Sequence, residues 1–335
     1  MIAYSEIRDI HLEISSLCNA RCPLCPRNFR GYPYNDGYVE ENLTLESCKH
    51  IFTPALLQQL NRIWINGNFG DAVMNPETPD IIEYFRLHNA NLTLEISTNG
   101  SARDKEFWQQ LAKADVNVLF CLDGLEDIHH LYRQNTNWST IINNAKIFMD
   151  AGGKAIWKMI KFDHNQHQII ECNELSLALG FSKFELVDQG RNSGPVFDKH
   201  GNLLHILGDY TGEKSFEILF HKKKTDMVLL EDIIDNIIEH KTLTCGTKQN
   251  KSIYISSTGD VYPCCYTAFN PETYGHGEYH EAVNAQLAPL IKNNNALTYT
   301  LEECILWFNA VEESWDKSSF EDGKLVCCND NCGSN

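Results

Sequence analysis

Short apolar segments alternate with longer amphipathic segments between residues 9 and 188 of the chain. The short segments either alternate apolar and polar side chains or are apolar throughout, and both patterns are typical of strands. The segment VNVLFC at 116–121 is almost wholly apolar, as expected of a strand that is buried on both faces. Strands are therefore predicted at 10–14, 62–65, 92–97, 116–121, 155–160 and 184–188.

The segments between these strands carry signals for helix ends. Thr78 and Pro79 are predicted as the N-cap and first-turn proline of one helix, because these residue types favour those positions. Two later helices are predicted to stop at Gly152 and Gly180, since glycine readily adopts the left-handed conformation that ends a helix. The predicted helices after the first cover 104–114, 139–151 and 168–179.

The order of these elements determines the predicted fold class. Strands that alternate with helical crossovers favour an α/β domain with a parallel sheet and right-handed connections. Six repeats are too few for a closed eight-stranded barrel, so the pattern fits a partial barrel or an open sheet. In both arrangements the chemistry is expected at the carboxyl ends of the strands.

The pattern changes near residue 190, where glycines interrupt it. The segment SIYISSTGDVYPCC, at 252–265, alternates apolar and polar residues around a Thr-Gly-Asp turn and predicts a β-hairpin. A helix is also expected near 230–240. We therefore divide the chain into a core at 1–205, a linker with a helix at 206–240 and a small C-terminal domain at 241–335.

The charge balance excludes some classes of partner. The chain has 28 basic and 45 acidic residues, a formal net charge of −17. Such a surface repels phosphate backbones and anionic lipid, which argues against non-specific binding to nucleic acid or membrane. The N-terminus shows no signal-peptide pattern, and no apolar run is long enough to span a bilayer. A cytoplasmic location is expected.

Cysteine is unusually frequent, with 13 residues in the chain. Cytosolic thiols stay reduced, so cysteines in such a protein more often bind metal or do chemistry than form disulfides. Most of them fall in two groups, near the N-terminus and towards the C-terminus. The isolated ones are expected to be ordinary buried thiols, and these are Cys48, Cys121, Cys172 and Cys304.

The first group is Cys18, Cys22 and Cys25, on the loop that follows the first predicted strand. A 4Fe–4S cluster held by three cysteines keeps one iron open for another ligand. Structural zinc is the weaker alternative, because it needs four closed ligands and no fourth is nearby. Chance spacing and a disulfide are the remaining interpretations.

The C-x3-C-x2-C spacing after a first strand, at the start of a six-strand parallel domain, resembles the radical S-adenosylmethionine (SAM) superfamily. The resemblance implies a partial (β/α)6 barrel and a [4Fe-4S] cluster whose open iron is chelated by SAM. It also implies reductive cleavage of SAM to methionine and a 5′-deoxyadenosyl radical, which abstracts a substrate hydrogen atom. Leu24 stands where the family usually has an aromatic residue.

Further segments at successive strand ends resemble the family's SAM-binding motifs. NGNFGDAVMNPE resembles its Gly-Gly-Glu-Pro region, with an aspartate in place of the usual glutamate and no proline directly after it. STNG resembles its Thr-Asn-Gly turn, and CLDGLEDIHHLYR resembles its Ser-Leu-Asp-Gly segment with a downstream arginine. The resemblance implies SAM-binding roles for Gly70, Asp71, Ser97, Asn99, Asp123 and Arg133.

The C-terminal cysteines form a possible second metal site, and its predicted ligands are Cys245, Cys264, Cys328 and Cys332. Their arrangement resembles the twitch extension, a reduced form of the SPASM domain, which implies one auxiliary [4Fe-4S] cluster. The C-x2-C-x5-C-x3-C run of a full SPASM domain is absent from the sequence. Cys265 and Cys327 are alternative ligands, and a structural zinc at the same positions is the competing interpretation.

The resemblance to twitch enzymes favours oxidation of a small molecule, in which the auxiliary cluster can accept the second electron. Cys121, Lys158 and Asp188 are the predicted catalytic residues, with Cys121 as a hydrogen-atom donor if it is not simply a buried thiol. Further candidate bases are Lys161 and Arg191, whereas His129 is expected at a surface. A flavodoxin or ferredoxin is the expected reducing partner.

Two other functions fit the same motifs. The first is radical modification of a ribosomal peptide, by cross-linking or epimerisation. Only 17 residues precede Cys18, too few for a leader-binding segment, so a peptide substrate is expected to need a separate recognition protein. The second is a non-catalytic iron–sulfur carrier, against which the SAM-site resemblances argue. The sequence does not identify the substrate or the oligomeric state.

Overall fold

The computed structural model describes residues 1–29, 31–33, 39–188, 194–198, 200–208, 242–268, 283, 285–320 and 322–334. The predicted helix at 230–240, the candidate base Arg191 and most of the predicted linker lie outside these residues. The division of the chain into two domains and a linker therefore stays a prediction.

A parallel sheet is the centre of the fold. The strands among the described residues are β1 (Asp9–Leu12), β2 (Asn28–Phe29), β3 (Tyr32–Pro33), β4 (Arg62–Ile65), β5 (Thr93–Thr98), β6 (Asn117–Cys121), β7 (Lys154–Ile160), β8 (Lys183–Val187), β9 (Gly194–Phe197), β10 (Leu203–Leu207), β11 (Thr242–Leu243), β12 (Ser252–Ile255), β13 (Val261–Tyr262) and β14 (Gly333–Ser334). β1 and β4 to β8 are the six predicted strands, and neighbours among them pair in parallel. This confirms the predicted α/β class.

The predicted hairpin is present and joins the same sheet. β12 pairs in parallel with β1 and antiparallel with β13, so the sheet order is β13-β12-β1-β4-β5-β6-β7-β8. Its turn contains Gly259 at φ +84°, a left-handed conformation that glycine adopts without strain. β12 lies beside β1, and β13, the edge strand of the sheet, leads the chain to Cys264.

Helices connect the parallel strands. The described helices are α1 (Leu45–Ile51), α2 (Pro54–Gln59), α3 (Thr78–His88), α4 (Lys105–Lys113), α5 (Glu126–Tyr132), α6 (Trp138–Asp150), α7 (Ile169–Ala178), α8 (Gly246–Gln249), α9 (Leu301–Cys304), α10 (Phe308–Glu313) and α11 (Val326–Cys332). Gly152 and Gly180, at φ +96° and +92°, follow α6 and α7 as predicted. The predicted N-cap of α3 is wrong by one residue, because Thr78 is already helical and Glu77 precedes it. None of the described helices is long and apolar enough to cross a membrane.

The core lies between the sheet and the helices. On β6, Val118 and Phe120 are both fully buried, as the apolar sequence predicted. The ring centroid of Phe120 lies 5.3 Å from that of Trp108 on α4 and 6.1 Å from that of Phe148 on α6. This packing holds the strands rigidly, so that the loops after their carboxyl ends start from fixed positions. Cys48, Cys172 and Cys304 are buried as predicted and show 0% exposure.

Candidate functional site

A cavity of about 1350 Å³, including its open mouth, lies at the carboxyl ends of the parallel strands. The loop after β1 and the ends of β4 to β8 contribute to its wall. The predicted site residues in this wall are Cys18, Cys22, Cys25, Gly70, Asp71, Ser97, Asn99, Cys121, Arg133 and Lys158. The fold thus brings together residues from six separate segments of the sequence.

The three N-terminal cysteines line this cavity from one short loop. The Cys25 amide donates a hydrogen bond to the carbonyl of Cys22 at 3.0 Å, which closes a turn between them. Burial raises the pKa of the Cys22 thiol to about 11, although the nearby Arg133 guanidinium lowers it. Burial, the Asp71 carboxylate and the other two thiols raise the pKa of Cys18. Three interacting thiols are a donor set that fits a 4Fe–4S cluster with one open iron.

The loop after β4 packs closely against the segment that follows β1. A Cβ atom on Gly70 would lie 1.8 Å from the carbonyl oxygen of Ser15, and one on Gly67 would lie 2.3 Å from Oε1 of Glu13. Glycine is therefore required at both positions for space. This contact brings the predicted SAM-binding loop directly beside the cysteine loop.

Asp71 is part of a hydrogen-bond network that reaches the first cysteine. Its Oδ2 atom accepts hydrogen bonds from the backbone amide and the side-chain amide of Asn99, each at 2.7 Å. The same side-chain amide of Asn99 lies 3.8 Å from the Cys18 sulfur. Burial raises the pKa of Asp71, whereas the bond from the Asn99 amide lowers it. Asp71 thus orients Asn99 at the cysteine loop, and its contact with SAM stays a prediction.

Asp123 and Arg133 form a buried ion pair at the cavity wall. Arg133 Nε donates to Asp123 Oδ2 at 2.6 Å, and the Ile160 amide donates to Oδ1 at 2.6 Å. Arg133 lines the cavity and its Nη1 lies 3.7 Å from the sulfur of Cys22, while Asp123 is fully buried behind it. His129 is not at a surface as expected, because its Nδ1 accepts from the Asp123 amide at 3.2 Å in the core.

Lys158 and Cys121 line the cavity from neighbouring positions of β7 and β6. The Lys158 ammonium lies 5.5 Å from the ring centroid of Trp64, a cation–π geometry. Trp64 Nε1 in turn donates to the hydroxyl of Ser97 at 3.3 Å. Burial raises the pKa of Cys121, so the residue is a neutral thiol at physiological pH. A lysine and a protonated thiol therefore share one wall of the cavity.

Asp188, the third predicted catalytic residue, lies just past β8 and outside the cavity lining. It forms an ion pair with Lys161 at 3.2 Å, and its side chain is 70% exposed. Glu185 lines the cavity instead, beside Lys158 in the strand register. Sequence reasoning missed Glu185 because the inward face of an edge strand depends on its pairing. A catalytic role for Asp188 stays a prediction.

Glu13, just after β1, is a further buried acid that sequence reasoning missed. Its Oε1 accepts hydrogen bonds from the amides of Phe69 at 2.7 Å and Gly70 at 2.9 Å. Its Oε2 accepts from the hydroxyl of Tyr254 on β12 at 2.6 Å. Burial raises the pKa of Glu13, and the Tyr254 bond lowers it. A signal was available in the sequence, because Glu13 directly follows an apolar strand. Charged residues are rarely buried without partners, so an acid at such a position indicates a specific hydrogen-bonding role.

A second cavity of about 390 Å³ lies near the C-terminal helix α11. The cysteines in its lining are Cys245, Cys264, Cys327, Cys328 and Cys332. All four predicted ligands therefore meet at one cavity, with Cys327 as the alternative ligand that also lines it. Burial raises the pKa of Cys264, and it raises that of Cys332 to about 11.

Trp315 contributes its indole to the second cavity. Its buried Nε1 atom lies within reach of the Cys328 thiol. The sulfur atoms of a thiolate-bound iron–sulfur cluster would be stronger acceptors for this N–H than a neutral thiol. Within the described ranges no three His, Cys, Asp or Glu side chains are close enough together to form a metal-ion site. The assignment of cluster ligands at the two sites is therefore based on the cysteines that line the two cavities.

Comparison with known proteins identifies the family. Residues 12–170 match the model of the Radical SAM superfamily. The chain is 23% identical to the GTP 3′,8-cyclase of Staphylococcus epidermidis over 284 residues, which cover 78% of this chain and 79% of the cyclase. SuiB of Streptococcus suis with bound S-adenosylmethionine has a similar fold, with a TM-score of 0.53, 15% identity and coverage of 78% of this chain and 60% of SuiB. The enzyme anSMEcpe with bound AdoMet matches with a TM-score of 0.55 at 16% identity, over 98% of this chain and 88% of its own.

The chain carries a radical SAM superfamily domain at residues 12–170, and this segment contains the three N-terminal cysteines. It is a radical SAM enzyme whose cofactors include the superfamily's [4Fe-4S] cluster and SAM. The structural neighbours SuiB and anSMEcpe are SPASM-domain radical SAM enzymes. Their likeness confirms the predicted partial barrel with a C-terminal extension.

Proposed function

We propose that this enzyme binds SAM in the first cavity and removes a hydrogen atom from a substrate held in the same cavity. The supporting observation is that the three thiols, the loop at Gly70 and the wall at Lys158 and Cys121 line one space. A three-cysteine [4Fe-4S] cluster supplies an open iron for SAM and the electron that cleaves it.

The chain's own residues would bind the polar groups of SAM. Arg133 is fixed by Asp123 and presents a guanidinium at the cavity wall, where it suits an anionic group such as the SAM carboxylate. Asn99 is oriented by Asp71 beside the cysteine loop and can bind the ribose or the amino acid part of SAM. These groups are already held in place before SAM binds, which lowers the entropic cost of ordering them.

We propose oxidation of a small molecule as the reaction. Lys158 and Cys121 lie on one wall of the cavity, where they can bind a substrate and exchange a proton or hydrogen atom with it. A two-electron oxidation also requires an acceptor for the second electron. The five cysteines of the second cavity could hold such an acceptor, as an auxiliary [4Fe-4S] cluster. A small reducing protein such as flavodoxin or ferredoxin would supply electrons to the first cluster.

Modification of a peptide is the second candidate function. SuiB bound to the precursor peptide SuiA matches with a TM-score of 0.57 at 14% identity, and anSMEcpe with the Cp18Cys peptide matches at 0.52 and 16%. The cavity is open at its mouth, so an extended chain could enter it as well as a small molecule. Identities this low concern the fold alone, so the peptide function rests on that opening.

SAM cleavage is the direct test of the first step. Anaerobically reconstituted and reduced enzyme should convert SAM to methionine and 5′-deoxyadenosine, measured by liquid chromatography. Arg133→Lys should slow this conversion, because lysine cannot keep the bidentate geometry of the guanidinium. Arg86→Lys is the matched control, since Arg86 bonds to the carbonyl oxygens of Ala90 and Asp115 away from the cavity. Protein with a full cluster that forms no 5′-deoxyadenosine would contradict the proposal.

A further inference from the structure

The loop that lines the SAM cavity is held by the C-terminal hairpin at two points. At the first, the Tyr254 hydroxyl donates to Glu13, whose other oxygen accepts from the amides of Phe69 and Gly70. At the second, the side-chain amide of Asn68 donates to the backbone carbonyl of Cys265 at 2.9 Å. Both contacts join segments that are far apart in sequence. Tyr254 is 241 residues from Glu13, and Cys265 is 197 residues from Asn68.

Glu13 is suited to fix the loop because it has almost no freedom to move. It is 1% exposed, and Gly67 packs so closely that a Cβ there would overlap its Oε1. A carboxylate in such a position needs its hydrogen-bond donors, since an unpaired buried charge is costly. Removing the Tyr254 hydroxyl takes one donor from this carboxylate. The remaining donors are the amides of Phe69 and Gly70. A shift of the Glu13 side chain therefore moves the loop that contains these two amides.

The same hairpin leads directly to the second cysteine site. Tyr254 on β12 is the register partner of Tyr262 on β13, and the chain continues from Tyr262 through one residue to Cys264. Cys264 lines the second cavity, and the next residue is Cys265, whose carbonyl accepts from Asn68. A change in the position of this segment therefore acts on the SAM loop through both contacts.

We propose that Tyr254 is a positioning residue that holds the SAM-binding loop through Glu13 and so couples SAM affinity to occupation of the second cysteine site. The proposal rests on the proposed function, because it takes the first cavity as the SAM site and the second as a metal site. Coupling of this kind is reciprocal, so metal at the second site tightens SAM binding and SAM stabilises the metal-loaded hairpin.

Tyr254→Phe is the first test, because it removes one oxygen and leaves the ring in the core. SAM affinity is measured by titration of the reduced protein, followed by the electron paramagnetic resonance signal of the first cluster. We expect Tyr254→Phe to weaken SAM binding about fivefold, the lower end of typical coupling between sites. Tyr262→Phe, on the same hairpin, is the matched control and should keep the wild-type affinity. Glu13→Gln should weaken binding at least as much as Tyr254→Phe.

A double-mutant cycle tests the coupling itself. Cys328→Ala with Cys332→Ala removes predicted ligands of the second site, and SAM affinity is measured in the wild-type and Tyr254→Phe backgrounds. If Tyr254 transmits part of the coupling, loss of the second site weakens SAM binding more in the wild type than in the Tyr254→Phe background, where only the contact between Asn68 and Cys265 remains. Equal losses in both backgrounds would show that the second site does not act through Tyr254.

The outcomes separate this proposal from the proposed function. Wild-type protein that carries the first cluster but does not bind SAM would refute the function itself. Wild-type binding that is matched by Tyr254→Phe, with equal thermal stability of the two proteins, would overturn the positioning role alone. Weaker binding in Tyr254→Phe with an unchanged melting temperature, and normal binding in Tyr262→Phe, would support it.

Discussion

The two cysteine-lined cavities differ in size and in the chemistry of their walls. The first is about 1350 Å³ and open, and its wall contains Asp71, Asn99, Arg133 and Lys158 beside the thiols. The second is about 390 Å³, and apart from its cysteines and two threonines the side chains in its lining are largely apolar or aromatic. A wall with charged side chains can bind the charged groups of a ligand, whereas the lining of the second cavity contains no charged side chain among the described residues.

Because their walls differ, the two cavities are expected to bind different ligands. The first cavity has groups for SAM and for a substrate in addition to a metal cluster. The second has thiols and the buried indole nitrogen of Trp315, which suit a metal cluster alone. We therefore expect variants of the first site to affect SAM cleavage and variants of the second to affect the later electron transfer from the substrate.

Removal of the first cysteine group should have the largest effect. The reconstituted wild type is expected to hold about eight irons, four in each of two [4Fe-4S] clusters. Changing Cys18, Cys22 and Cys25 together to alanine should leave about four irons and abolish SAM cleavage, because no open iron remains. Iron analysis and 5′-deoxyadenosine formation measure the two results.

Cys304→Ala is the control for that experiment, since Cys304 is fully buried and lies in neither cavity lining. It should keep the full iron content. A triple variant with unchanged iron, or a wild type that holds only zinc, would contradict the assignment of two iron–sulfur sites.

Removal of the second group should separate SAM cleavage from product formation. In the variant Cys328→Ala with Cys332→Ala, SAM at saturating concentration should still yield 5′-deoxyadenosine, because Cys18, Cys22 and Cys25 are all retained. Oxidised product should fall sharply, since the acceptor for the second electron is lost. Metal loss can unfold a small metal-dependent segment, so circular dichroism is measured on the same sample. A folded variant that lacks the second cluster and forms normal product would favour redox-neutral chemistry, with Cys121→Ala as the next variant.

Asp71→Ala tests the polar wall of the first cavity. Asp71 accepts two hydrogen bonds from Asn99, so its loss frees the amide that reaches towards Cys18. Hydrogen bonds to charged groups contribute roughly 1.5–3 kcal/mol, and we expect SAM affinity to fall about tenfold or more. Asp188→Asn, at an exposed ion pair outside the cavity, is the control. Equal SAM affinity in Asp71→Ala and wild type would show that Asp71 only shapes the loop.

The strands of the barrel could be predicted from the sequence because their signals are local. The bounds of the six predicted strands agree with the observed bounds to within two residues at either end. The strand at 62–65 agrees at both ends. Their order also follows from the regular alternation with helices. The cysteine groups were visible for the same reason, since the spacing of Cys18, Cys22 and Cys25 lies within eight residues of sequence.

The contacts between distant segments could not be predicted in this way. The hairpin was expected from its turn, but its pairing with β1 depends on which strand edge is free in the folded sheet. Glu13 and Tyr254 meet across 241 residues, and neither residue has a local motif. The SAM-binding role of Asp123 stays a prediction, and its position behind Arg133, fully buried, is set by packing that no spacing reveals.

The smallest effect is expected at the cavity wall near Lys158, the proposed substrate-binding wall. Lys158 and Lys161 both lie near the carboxyl end of β7 and can be compared as a matched pair. Lys158 lines the cavity over Trp64, whereas Lys161 pairs with Asp188 outside it. Lys158→Met keeps much of the apolar stem and removes the ammonium, so we expect substrate turnover to fall severalfold while SAM affinity is unchanged. Lys161→Met should alter turnover little, because an exposed ion pair contributes only about 0–1 kcal/mol. Product formation at saturating SAM measures both variants, and an equal loss in the two would place the substrate elsewhere than on the Lys158 wall.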